Sequence, residues 1–377
     1  MAVFLFGRLM DEDLRATVLG GAQAGRSAFL DGFRLCGSAM SLAGPGLEPE
    51  QGAQVTGMLV LPTPEGRARL ARFGAITGCR SMELPVTSDG QTLKAQLYLP
   101  EHTVPGSERN WSLSAWRAAF GLVTCFAMHE LMDLTAPRPV AVLRARFPMA
   151  IKHAASRLRA AEAPSPARLR SDWQRDSIRP LQQTRPYSWF FSVAEDDLHF
   201  RRFDGSWSPK VKRAGFAMCD AVTVLPYDPV RDVVLLIEQF RFGPWLRGAQ
   251  NCWSLEPVAG HIDPGETAVD AALREASEEA RITLRKSDLR RVAQVYPSPG
   301  AVSEFLFQFV ALCDLPKSLE GVAGLETEAE NIRSHILPFD ELITLIESGE
   351  VENGPLVLTA YWLATRRAQL RAEAQGR

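Results

Sequence analysis

Three carboxylates in GHIDPGETAVDAALREASEEARI, residues 260–282, stand at a spacing that can hold a hard cation. Glu275, Glu278 and Glu279 fall at i, i+3 and i+4, so a helix would group them opposite the apolar positions Val269, Ala272, Leu273, Ala276 and Ala280. Three like charges that close repel one another and cost the helix stability unless a cation lies among them. Carboxylate oxygens suit Mg²⁺ or Mn²⁺, ions that keep several waters and bind substrate phosphates at the same time. By itself REASEEAR also reads as a solvated helix face. Gly260 and Glu266 at fixed spacing ahead of it favour the metal site. The glycine lets the chain turn and present the carbonyl of Ala259, and the glutamate braces the loop against a helix capped by Thr267 with Asp270.

About fifty residues on, Glu326-Thr327-Glu328-Ala329-Glu330 forms a second acidic cluster, preceded by Gly321 and Gly324. A general base working beside such a metal must sit outside the ligand helix and be kept ionised by nearby cations. A glycine-hinged acidic loop meets both demands. Taken alone, the same loop reads as hydrated surface.

These groups need elements to position them. Strand patterns at 220–225 and 233–240 precede the helix, and 290–296 and 305–312 follow it. Two helices then close the chain, one from a cap at Asp340 to about 348 and one from Pro355 to about 372. Ahead of them, strands at 189–193, 197–203 and 206–213, the last two joined by Asp204-Gly205, read as a hairpin unit. The sum is a mixed sheet between helices, an α/β/α sandwich over 187–377 within an α/β chain. Residues 164–186, with Pro164, Pro166, Pro180 and Pro186 among polar residues, read as a linker.

Upstream, residues 1–107 carry short strands at 2–6, 27–35, 54–61 and 92–99, an α+β pattern. Residues 108–163 are helical, with one run around Trp116 and another over 139–161 that Pro148 should split or kink. Arg144, Arg146, Lys152, Arg157 and Arg159 read as a solvated basic face of that second run.

A chain of 377 residues can bury more than one core, and 46% hydrophobic with 23% charged residues is ordinary globular composition. A formal charge of -2, without basic and aromatic residues interleaved, gives no pull toward nucleic acid or acidic membranes. Six cysteines scattered singly argue against a zinc knuckle or redox motif and for buried free thiols. MAVFLFGRLMDEDL has no basic segment before its apolar run, and no run approaches the ~18 apolar residues of a membrane span. The expectation is a cytoplasmic protein with a small-molecule substrate, no nucleic-acid partner and no membrane.

The stretch 260–282 resembles the box of the Nudix hydrolases, with one departure: Arg281 stands where that family usually has glycine. VTVLPYDPVRDVVLLIEQFRFGP, WSLEPVAGHIDPGE, YPSPGAVSE and GLETEAENIRSHILPFDELITLIESGEVENGPLVLTAYWL narrow the resemblance to ADP-ribose pyrophosphatases, of which Pro299 in Ser298-Pro299-Gly300 is the substrate-class marker. The resemblance implies hydrolysis of ADP-ribose to AMP and ribose 5-phosphate with Mg²⁺. It gives the ligand role to Ala259 (through its carbonyl), Glu275, Glu279 and Glu330, and the general-base role to Glu328. Glu278 joins the catalytic acids as a further ligand or an acid behind the ligands. Arg241 and Glu304 would contact substrate. Arg213 matches a substrate arginine contributed by the partner subunit of a homodimer that exchanges its first hairpin. The alternatives are a Nudix enzyme for another nucleotide sugar and a non-hydrolysing ADP-ribose sensor. Similar fused proteins are associated with tellurite resistance, which no residue here explains.

VFLFGRLMDEDLRATVLGG followed by FLDGFRL resembles the opening of the gamma-glutamylcyclotransferase-like family, with Phe6-Gly7-Arg8-Leu9 at its first turn. Phe73 and Arg80 fit that family's later pattern. Its catalytic glutamate falls on Gly74, its tyrosine on Gly78 and its turn threonine on Arg8, so the cyclisation chemistry is expected to be lost. Glu83 is the nearest other carboxylate and reads as a solvated strand start.

Overall fold

The computed structural model describes residues 1–39, 41–101, 111–132, 138–189, 191–323 and 331–375. The chain divides into two compact units, Met1–Phe216 and Ala217–Arg377.

In the first unit β1 (Val3–Leu5), β2 (Gly25–Cys36), β3 (Gly46–Val60), β4 (Cys79–Ser88) and β5 (Gln91–Pro100) close into a barrel in the order β1-β3-β2-β4-β5. The two-residue period of β1 shows why. Phe4 points into the barrel with Leu30, Val55, Leu59, Val86 and Leu97, while Val3 and Leu5 face outward onto helices. That outer layer is α1 (Glu12–Leu19), α2 (Pro64–Ile76), α3 (Leu113–Trp116), a wider turn at Arg117–Gly121, α4 (Leu122–Met132) and α5 (Val140–Glu162). Trp116, Met128, Leu131, Leu143, Ile151 and Ala154 share its core.

Three expectations need correction here. β4 begins at Cys79 and runs through Pro85, where only a strand start at Glu83 is expected. α5 runs unbroken through Pro148, giving up the one N–H that proline lacks. And Arg146, expected on a solvated face, is 2% exposed.

The unit ends on a three-stranded sheet of β6 (Ile178–Ser188), β7 (Ser192–Phe200) and β8 (Val211–Ala217), in that order. The last nine residues of the expected linker, 178–186, are therefore strand. β6 is an edge strand whose register shifts between Pro180 and Gln182 and between Thr184 and Tyr187, which is how an edge tolerates Pro180 and Pro186.

The second unit is built on a mixed sheet in the order β13 (Leu289–Val295), β14 (Leu306–Leu312), β9 (Ala221–Asp228), β10 (Val233–Phe240), β16 (Ile332–Pro338), β15 (Gly321–Ala323). A short helix, α6 (Phe242–Arg247), follows β10; β11 (Trp253–Glu256) pairs with β10, and β12 (Val258–His261) pairs with β9. β9 and β14 are parallel and the other pairs antiparallel. Alternate residues of the buried strands feed two cores. Val222, Val224, Leu235 and Ile237 meet α7 (Ala268–Ala280); Leu225, Tyr227, Val234 and Leu236 meet α8 (Phe339–Ser348) and α9 (Gly354–Gln375). This is the α/β/α sandwich. α8 has no side-chain cap; Asp340 lies in its first turn and pairs with Arg367 at 2.5 Å.

All six cysteines are free thiols, four buried and two partly exposed. Burial pushes the thiols of Cys125 and Cys313 up to about 12. Among the described residues no helix is long and apolar enough to cross a membrane.

Candidate active site

The acidic helix α7 starts where its sequence says. Thr267 is the cap, accepting from the Asp270 N–H at 3.1 Å and donating to the Asp270 carboxylate at 2.6 Å. Alanines 271, 272, 276 and 280 are fully buried, and their small size lets the helix lie close on the sheet. That approach carries Glu275 and Glu279, 9% and 4% exposed, onto the backbone of β12. The Ala259 N–H donates to Glu279 Oε2 at 2.9 Å. Glu275 lies against Gly260, so closely that a Cβ there would stand 1.9 Å from its Oε1. Gly260 is therefore needed for a close approach within a strand, and not for the turn that the sequence suggested.

The repulsion among the carboxylates is relieved from within the protein. Arg274 Nη1 donates to Glu275 at 2.6 Å and to Glu278 at 3.0 Å. Its Nε and Nη2 bond Glu266 at 3.0 and 3.1 Å, and Nη2 also bonds the His261 carbonyl at 2.9 Å. Burial alone would lower the guanidinium pKa, but the Glu266 and Glu275 carboxylates outweigh it and hold Arg274 firmly charged. Glu266 also accepts from the Asp263 N–H at 3.0 Å, so it braces the loop between β12 and α7 as expected. Arg274 is the residue the sequence reading passed over. Its signal was there, four residues before Glu278 and one before Glu275.

The donor chemistry fits a hard divalent ion. Two buried carboxylates and the strand segment 259–260 meet at one place, and a carboxylate is held ionised in such a place only by compensating positive charge. The described carboxylates do not by themselves complete a cation site: among the described residues no three His, Cys, Asp or Glu side chains converge as one. Glu328 and Glu330 lie outside the described residues.

Of the expected substrate contacts, Arg241 and Glu304 come into one neighbourhood. Arg241 follows β10 and grips Glu256 of β11 through Nε at 3.0 Å and Nη2 at 2.6 Å. Glu256 is buried and was given no role by the sequence; the register sets it opposite Ile237, so it is the Arg241 side chain, from beyond the end of β10, that makes the contact. Burial raises the pKa of Glu304; Arg241 pulls it back down and Asp220 pushes it further up, and the net shift is upward. Pro299 sits exposed in a turn closed by the N–H groups of Ala301 and Val302 on the Ser298 carbonyl, at 3.2 and 2.9 Å. Ser303 then bonds both backbone groups of Met218, fixing where Glu304 emerges. Arg213 belongs to the first unit, exposed on β8, with its Nη1 on the Lys212 carbonyl.

Residues 218–359 match the NUDIX domain, and residues 3–118 match the family described as gamma-glutamyl cyclotransferase, AIG2-like. ADP-ribose pyrophosphatase of Escherichia coli K12 is 33% identical over 199 residues, which are 53% of this chain and 93% of that protein. This chain belongs to the Nudix family. The Haemophilus influenzae ADP-ribose pyrophosphatase is 31% identical over 201 residues, 53% of this chain and 91% of its own. A GDP-mannose pyrophosphatase of Salmonella paratyphi B is 32% identical over 154 residues, 41% of this chain and 78% of its own. The protein is a Nudix hydrolase, and Nudix hydrolases generally use divalent metal ions, typically Mg²⁺.

In the cyclotransferase-like barrel of this Nudix protein, the position expected to hold the catalytic glutamate is filled from another side. A Cβ on Gly74 would stand 2.6 Å from the Tyr98 ring, so no acidic side chain fits without moving that ring. Arg8, at the first turn, is buried 4.9 Å over the Phe73 ring and donates to the Leu42 carbonyl at 2.9 Å. Glu83 is exposed in the middle of β4, not at a strand start.

Proposed function

We propose that this Nudix hydrolase cleaves ADP-ribose to AMP and ribose 5-phosphate with Mg²⁺, Mn²⁺ serving in its place. The observation that carries the reading is the burial of Glu275 and Glu279 against β12, with Gly260 admitting one carboxylate and the Ala259 N–H holding the other. Glu275, Glu279, the Ala259 carbonyl and Glu330 would hold the divalent ions. When bound, the ions neutralise the pyrophosphate and make a water more acidic.

The protein's own residues do the rest. Arg274 holds Glu266, Glu275 and Glu278 in fixed positions, so the acidic face is set before substrate arrives. Glu278, the more exposed of the box acids, is a further ligand or an acid behind the ligands. Glu328 takes a proton from the attacking water. As the new P–O bond forms the bridging P–O bond breaks, and one water is consumed for each AMP and ribose 5-phosphate released. Arg241, pre-set by Glu256, and Glu304 orient the substrate, and Arg213 completes the site from the partner subunit of a homodimer. The Pro299 turn sets the position of Glu304. The barrel is proposed to be inactive as a cyclotransferase, and the protein to work in the cytoplasm. The tellurite association has no chemistry among these residues.

Relatives that the chain matches over nearly their whole length are named for ADP-ribose, which supports that substrate. The GDP-mannose relatives make another nucleotide sugar the rival. A sensor without turnover is disfavoured because all the box carboxylates are present. The test is a panel of ADP-ribose, ADP-glucose, GDP-mannose and NADH with Mg²⁺. ADP-ribose is expected to show the highest kcat/KM; negligible ADP-ribose turnover beside rapid cleavage of another compound sinks the assignment.

A further inference from the structure

The three-stranded sheet that ends the first unit is bare over most of its surface. β6 is exposed along nearly its whole length, and Leu181, Tyr187, Trp189 and Phe203 show large apolar surface. The turn between β6 and β7 is the exception. Ser188 and Ser192, the pair that closes it, are 6% and 1% exposed.

What covers that turn is the helical pair. Arg146 of α5 has a fully buried side chain, and its Nη1 donates to the carbonyls of Trp189 at 2.5 Å and Phe191 at 3.3 Å. Its Nη2 pairs with Glu130 of α4, and His153 of α5 lies 3.6 Å from the same carboxylate. Just ahead of α5, Arg138 donates to the Pro186 carbonyl at 2.9 Å. The grip passes along the sheet through rings. Phe191 packs on Tyr187 at 5.2 Å and edge-on against Phe216 of β8 at 5.1 Å. Arg213 is on that same strand, three residues earlier.

A buried guanidinium is a costly way to fill space, since an apolar side chain of similar volume packs as well without the desolvation penalty. What the arginine adds is geometry: its planar fork addresses two backbone carbonyls and a carboxylate together, which a lysine ammonium cannot do as rigidly. We infer that the first unit serves as a mount for the β6–β7–β8 sheet, with Arg146 as the positioning residue that fixes its turn and thereby the strand bearing Arg213. The kinetic consequence rests on the reading of Arg213 as a substrate contact; the mechanical one does not.

The experiment uses the full chain and the paired variant Glu130→Gln with Arg146→Met, which removes both buried charges together. Hydrogen exchange in peptides spanning the β6–β7 turn should speed up on the order of tenfold, because local opening no longer breaks those bonds. KM for ADP-ribose should rise several-fold with kcat little changed, and adding Arg213→Ala should raise it no further. Unchanged exchange in the folded variant removes the mount. Faster exchange with wild-type KM, where Arg213→Ala alone raises KM, removes the positioning role. If Arg213→Ala alone leaves KM untouched, the substrate reading of Arg213 has failed instead, and exchange alone decides the mount. Should the paired variant not fold, Arg138→Ala takes its place: it loses one partly exposed contact, and a smaller rise in exchange at the same turn is expected, no rise being contrary.

Discussion

Arg281 closes α7 in the left-handed conformation, with φ 56°. The Ile282 N–H reaches the Ala276 carbonyl at 3.0 Å and the Arg281 N–H the Ser277 carbonyl at 3.2 Å, the bond pattern of a glycine-type helix end made without glycine. A residue with a Cβ gives up about 1 kcal/mol in that conformation. The helix is not lengthened to avoid it. Instead the Arg281 side chain bonds the Val322 carbonyl of β15 at 3.1 Å, an exposed contact that returns roughly 0.5 kcal/mol. Arg281→Gly should therefore gain a net ~0.5 kcal/mol of stability, read as a higher urea midpoint, and leave kcat/KM unchanged; a large rise in turnover would mean that the departure matters to the chemistry. At this scale the sequence was readable wherever a residue's role follows from its own type and spacing, as with Thr267, Glu266 and the box acids. It misled where the role depends on what a distant strand brings near. Gly260 is a contact glycine because Glu275 lands on it, and Arg146 is buried because the β6–β7 turn folds over it.

The turn from β9 to β10 shows how elements are locked together by a single acid. Asp228, 3% exposed, accepts from the N–H groups of Val230 and Arg231 at 3.0 Å, from Leu315 at 3.3 Å and from the Arg231 guanidinium at 2.8 Å. Burial alone would raise its pKa, but these donors outweigh it and hold the carboxyl below the ordinary aspartate range. Since the folded pKa lies below the unfolded one, its stabilisation is present above the unfolded pKa and is lost as pH falls through the folded value. Asp228→Asn should cost about 1–3 kcal/mol near pH 7 and clearly less near pH 3, by urea midpoints at the two pH values. An equal cost at both would show that the charge is not what matters. Helices and central strands of this unit were legible because their apolar period is strong. β11, β12 and β15 were not, since three or four residues are too few to display a period; β16 was not, because Ser334 and His335 interrupt its apolar pattern; and β6 was hidden by prolines that only an edge position permits.

The whole molecule leaves Trp173, Ile178, Leu181, Tyr187, Trp189, Phe200, Phe203 and Phe216 each more than a third exposed, all on or beside the three-stranded sheet of the first unit. Apolar surface so concentrated suits burial by a second copy, in keeping with the homodimer proposed for the site. Light scattering on the purified chain should give twice the chain mass, and Leu181→Asp with Phe203→Asp should shift it toward one; a monomeric wild type contradicts the shared site. Narrower than the dimer is the proposed role of the metal: buried acids on α7, held against β12, would bind the ion on which ADP-ribose hydrolysis depends. The deciding measurement follows AMP formation from ADP-ribose while Mg²⁺ is titrated, for the wild type and for Glu279→Gln. The wild type should show saturable activation and the variant a loss on the order of 10²–10³ in kcat/KM. A Glu279→Gln protein that keeps wild-type kcat/KM across the titration would contradict it.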